Sequence, residues 1–143
     1  MAIAVERYNH LGKMLLNGAA AGTLKLMLVD STYAFDIDHT ALASVSTAEI
    51  TGPGYTAGGE TLANVTITSD DTGFAIDADD ITWTALTATF RRAILYTSGT
   101  VDGVTNPVLA SYLLDDTPGD IAVSATDWTV ALAAVGIVSG TWS

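Results

Sequence analysis

The chain has 143 residues, with five Lys and Arg against 16 Asp and Glu, a formal net charge of −11 and no cysteine. A chain of this length buries about 70% of its unfolded surface and fits one domain, so we read 1–143 as a single unit. The absence of cysteine excludes disulfides and thiolate metal sites. The acid excess opposes nonspecific nucleic-acid binding and adhesion to anionic membranes.

Only 15% of the residues are charged, against about 25% in ordinary soluble domains, and the mean hydropathy is positive. A surface this poor in charge is expected to be hidden in an assembly, because obligate interfaces are apolar and charge-depleted. No run of about 18 apolar residues reads as a membrane span. The most apolar stretch, "WTVALAAVGIVSGTW" from Trp128 to Trp142, is broken by Thr, Ser and Gly. Glu6, Arg7, Asn9 and His10 interrupt the start of the chain where a signal peptide would be continuously apolar, so cytoplasmic synthesis is expected.

In chain order, "VERYNHLGKMLLNG" predicts a helix. Val5, Tyr8, Leu11, Met14 and Leu15 recur at helical spacing and Asn17-Gly18 supplies a stop. Residues 1–22 therefore read as an N-terminal helical arm. From Thr23 to Asp30 the chain alternates, with Leu24, Leu26 and Leu28 on one face and Lys25, Met27 and Val29 on the other, as in a strand. Residues 31–59 read as a long connecting loop with a short helix near Thr40 to Ala43, ending in the turn-rich "TGPGYTAGG". Strands are then expected over Glu60–Thr68, Thr72–Ile76, Ile81–Trp83, Thr87–Thr97, Val108–Leu114, Ile121–Ser124, Asp127–Leu132 and Ile137–Trp142. Many short β-branched strands with Asp, Gly and Pro turns predict a mainly β protein. The expected form is an antiparallel sandwich or jelly roll with one short N-terminal helix.

Two scarce cations stand side by side at Arg91 and Arg92. Read as one strand, Thr87 to Tyr96 puts Phe90, Arg92, Ile94 and Tyr96 on one face and Thr89, Arg91, Ala93 and Leu95 on the other. Both faces are largely apolar, so the strand is expected to be central and covered on both sides. Each guanidinium must then reach solvent or a carboxylate. Asp77, Asp79, Asp80, Asp115 and Asp116 are the partners nearest in sequence. An internal ion pair and a contact across a subunit boundary are the two readings to separate.

Catalytic chemistry finds little support. There is no Cys and no G-x-S-x-G, and His10 and His39 are the only histidines. In "FDIDHT" Asp36 and Asp38 share a face while His39 turns away, which reads as a solvated acidic loop. His10 reads as a surface residue between Arg7 and Lys13. "SDDTG" and "DADD" are acidic enough for calcium but fit no EF-hand spacing, so no metal or cofactor is assigned. Tyr55, Trp83, Tyr96, Tyr112 and Trp128 are able to line a sugar groove, or to serve as core and interface anchors.

The order of segments carries a resemblance. "YNHLGKMLLNG" leads into "TLKLMLVDSTYAFDIDH", and "GPGYTAGGETLAN" (Gly52 to Asn64) and "DADDITWTALTATFRRAILY" (Asp77 to Tyr96) are the most specific pieces. This arrangement resembles a family of small structural proteins of tailed bacteriophages over nearly the whole chain. It is most similar to head decoration, or cement, proteins with a β-sandwich fold. The resemblance implies a non-enzymatic virion protein on the capsid surface, made in the host cytoplasm. Its implied partners are the major capsid protein and copies of itself, a homotrimer being favoured. It supplies no catalytic residues. Arg91, Arg92, Trp83, Tyr55 and Tyr96 are the candidate subunit-interface residues. A tail, baseplate or head-to-tail completion protein is the nearest alternative, and a carbohydrate-binding host-attachment module is a second.

Overall fold

The computed structural model describes residues 4–114, 119–130 and 138–141. It is mainly β, with every strand pairing antiparallel, as the alternation and turn spacing led us to expect. A five-stranded sheet carries β1 (Ala4–Arg7), β10 (Val108–Leu113), β7 (Arg92–Ser98), β2 (Thr23–Val29) and β3 (Glu60–Thr61), in that order. β6 (Ile81–Phe90) pairs with β11 (Ile121–Val130). β12 (Val138–Thr141), β5 (Gly73–Asp77) and β4 (Thr66–Ser69) form a third sheet. β8 (Thr100–Val101) and β9 (Val104–Thr105) form a small hairpin.

The three central strands of this sheet, β10, β7 and β2, are buried on both faces, and their alternation shows why. Leu24, Leu26 and Leu28 of β2, Ala93 and Leu95 of β7, and Ala110 and Tyr112 of β10 face one core with Trp83, Leu86 and Phe90 of β6, Trp128 and Val130 of β11, and Ile76 of β5. Met27, Val29, Ile94, Tyr96 and Val108 face a second core, closed by Tyr8, Tyr33, Val45 and Ala48. The 31–59 segment is thus a covering layer, with 3-10 turns at Leu42–Ser44 and Ser46–Ala48 in place of the helix expected at Thr40 to Ala43. Burial of this much apolar surface on two faces is the main source of stability in such a domain.

Three expectations require correction. The N-terminal segment is not one helix. Ala4–Arg7 lies along β10 as an edge strand, and the helix α1 is confined to Leu11–Leu16. Unpaired ladder groups on β10 outweigh a short helical repeat that contains Gly12. Thr87–Thr97 is not one strand either. The chain leaves β6 at Phe90 and enters β7 at Arg92, and so passes from one sheet to another. Phe90, Ala93 and Leu95 consequently face the same core, which the simple alternation forbids. Finally, the segments expected to be separate at Ile121–Ser124 and Asp127–Leu132 run as one strand, and Ile81–Trp83 extends to Phe90. These two long partners bulge on either side of the Leu86–Thr126 pair, at Ala85 and Ala125, both at positive φ. The Asp127 carboxylate accepts from the Ala85 N–H, and the Thr87 hydroxyl from the Ala125 N–H. Asp115, Asp116 and most of Ala131 to Trp142, including part of the last expected strand, lie outside the described residues.

Candidate functional site

The two arginines are held inside the protomer. Arg91 sits at the passage between sheets. Its N–H bonds the Val29 carbonyl at 2.9 Å, its carbonyl accepts from the Leu114 N–H, and its Nε lies 3.0 Å from Asp120 Oδ1. Arg92 points to the second core, on the face shared by Ser111 and Glu6 in the paired strands. It reaches across β10, giving 3.0 Å from Nε to Glu6 Oε1 and 3.2 Å from Nη1 to the Tyr33 carbonyl. Ser111 Oγ donates to the same Glu6 oxygen. The partners observed among the described residues are distant in the chain: Asp120 is 29 residues from Arg91 and Glu6 86 residues from Arg92. A neighbouring subunit is not needed to satisfy either cation.

The aromatic candidates are mostly interior. Trp83 and Tyr96 are only 1% and 3% exposed. Trp83 packs 6.1 Å from Trp128, which meets Phe90 edge-on at 4.7 Å. Neither Trp83 nor Tyr96 presents a surface to a subunit. With Tyr112 and Trp128 also buried, these rings offer no sugar-stacking platform, and the carbohydrate reading loses its motive. Tyr55 is half-buried, and its hydroxyl donates to Glu49 and accepts from the Leu28 N–H. The same Glu49 oxygen accepts the Gly58 N–H, and the Gly58 carbonyl accepts the Tyr96 hydroxyl. This chain of bonds fastens the 49–58 loop along the outer edge of β2. Burial raises the Tyr55 phenol above its ordinary range, and the adjacent Glu49 carboxylate adds to the effect.

The glycine-rich loop is built for close approach. A Cβ on Gly54 would stand 2.6 Å from the Thr84 carbonyl oxygen, at the β6 bulge, and one on Gly59 would run into the Leu26 backbone. The Thr87 N–H bonds the Pro53 carbonyl, and Asn64 Nδ2 bonds Asp79 at 2.6 Å. Gly52 to Asn64 and Asp77 to Tyr96 therefore pack on each other as one unit.

The histidines differ from expectation in one case. His10 is half-buried with Nε2 2.6 Å from the Val108 carbonyl, rather than free at the surface. His39 lies 3.2 Å from the Tyr33 hydroxyl, which meets the Tyr8 hydroxyl at 2.7 Å. Acidic side chains cap turns: Asp70 Oδ1 accepts from the Thr72 N–H and hydroxyl and from the Gly73 N–H, and these bonds hold its carboxyl below the usual range. Asn64, Thr66, Asp77, Asp79 and Asp80 line an acidic recess of about 480 Å³. Among the described residues no three His, Asp or Glu side chains converge at metal-ligand spacing, and no helix is long and apolar enough to cross a membrane.

A second open recess is apolar and uncharged. A groove of about 420 Å³ runs between α1 and the β4–β5 hairpin, lined by Gly12, Leu15, Leu16, Ala20, Ile67, Phe74 and Ile76. Leu16 is 91% and Ile67 59% exposed. Sequence reasoning missed this surface because Leu16 merges into the apolar run of the helix and Ile67 reads as an ordinary strand residue. Comparison of the chain with protein-family models, with curated proteins and with solved structures returns no match.

Proposed function

We propose that this chain is a structural protein of a tailed-phage particle that decorates the head by binding the major capsid protein on the outer shell. The observation that carries the reading is the open surface. Arg91 and Arg92 and the hydroxyls of Tyr8, Tyr33, Tyr55 and Tyr96 are engaged within the fold, while a charge-free groove stays exposed on a chain of net charge −11. Such a surface suits contact with protein rather than turnover of a small substrate, so the proposed role is not enzymatic. The resemblance in Gly52 to Asn64 and Asp77 to Tyr96 supplies the class of particle. The acid excess keeps the free protein soluble and off packaged or expelled DNA.

Co-sedimentation with shells that lack the protein tests the reading. Saturable binding at a fixed ratio to the capsid protein is the expected result. Failure to bind shells, together with binding to purified tails, would move the protein to the tail.

A further inference from the structure

We propose that β4 is a self-pairing edge, through which two copies of this chain join their β12-β5-β4 sheets about a two-fold axis. β4 ends its sheet, and among the described residues no strand lies on its outer side. The Asp70 N–H bonds the Gly73 carbonyl across the hairpin. Antiparallel ladder groups alternate in direction, so Thr68 and Thr66 point theirs toward β5. Ile67 and Ser69 point theirs outward, unpaired by the hairpin.

Open edges are normally blunted by charge, proline or a covering loop. This molecule does so elsewhere. β2 is covered by β3, by the Tyr55 hydroxyl on the Leu28 N–H and by the Ile50 N–H on the Leu28 carbonyl. β1 carries Glu6 and Arg7. β4 reads Thr-Ile-Thr-Ser, fully exposed, with neither charge nor proline.

The occupant is a second copy because the strand is its own complement. Centring the axis on Ile67 sets Ile67 against its twin, Ser69 against Val65 and Thr68 against Thr66. Asp70 then falls opposite Asn64 rather than another acid, so no carboxylates face each other in the ladder. Ile67 shares a face with its ladder partner Ile76 and with Phe74. Pairing therefore joins two apolar strips into one continuous strip and sets the two Ile67 side chains side by side. This gives a pair, whereas the phage resemblance favours three copies. It stands on the fold alone, so failure of shell binding leaves it intact.

Light scattering on the full chain over a concentration series, at low and high salt, tests it. The wild type is expected at twice the protomer mass, with tighter pairing at high salt as the −11 charges are screened. Ile67→Lys is expected to keep its circular dichroism spectrum and run at protomer mass. Because the chain has no cysteine, Ile67→Cys is expected to oxidise to a covalent pair much faster than Ile37→Cys, an exposed control in the 31–59 segment. A wild type that is monomeric at all concentrations, an assembly that survives Ile67→Lys, or equal oxidation of the two cysteine variants would overturn the proposal.

Discussion

Arg91 and Arg92 are adjacent in sequence and unequal in consequence. The Arg91 side chain is 29% exposed and faces a partner exposed to 36%, whereas Arg92 is 15% exposed. Exposed pairs contribute little, so Arg91→Ala is expected to cost under about 1 kcal/mol. Arg92→Ala leaves Glu6 and the Tyr33 carbonyl short of a donor and is expected to cost about 2–3 kcal/mol. Urea unfolding measures both, and the losses should not depend on protein concentration. The tyrosines make a second prediction at this scale. All five, Tyr8, Tyr33, Tyr55, Tyr96 and Tyr112, are held above the ordinary phenol range, chiefly by burial. Above about pH 10 the unfolded chain loses phenolic protons that the folded chain keeps, so stability falls as pH rises. The slope is about 1.4 kcal/mol per pH unit for each tyrosine kept protonated. Tyrosinate absorbance should stay low until the fold collapses and then rise in one step. A gradual rise from about pH 10 with the fold intact would show that the phenols are accessible.

At the scale of elements, the loop glycines separate turn chemistry from close packing. Gly59 lies at φ +78° with the Leu26 backbone against it, whereas a methyl group added to Gly12 on α1 would meet nothing within 4 Å. Gly59→Ala is expected to destabilise by about 2–4 kcal/mol. Gly12→Ala is expected to stabilise by about 0.5–1 kcal/mol. Chemical denaturation of the pair checks both signs. The alternation of β2 was legible in the sequence, as was the double coverage of the strand at Ala93 to Tyr96, because period-two burial is local information. The turn at Gly52 to Gly59 was legible as a turn, but not the strands it presses on. The break at Arg91 was hidden because an apolar residue is equally at home on either side of a sheet change. The strand at Ala4–Arg7 was hidden because its reason to form, the open side of β10, lies more than 100 residues away. The Arg91 and Arg92 partners were missed for the same reason, since ion pairs follow strand register and not chain proximity.

For the whole molecule, three layers follow from one sheet that is apolar on both faces. β6, β11 and β5 cover one side, and the 31–59 segment closes the other. The 31–59 segment was expected as a long connecting loop. Instead, Tyr33, Val45, Ala48 and Ile50 are buried in the protomer's own cores. The segment should exchange its amides with the body of the domain rather than early, since it seals a core. The segment is therefore not free to act as an arm, and Leu16 and Ile67 are among the large apolar side chains that stay exposed. The measurement that tests the central claim most directly is cryo-electron microscopy of the parent particle. The account predicts density matching this three-layer fold, repeated symmetrically on the outer surface of the head over the major capsid protein. A head bare of such density would contradict it.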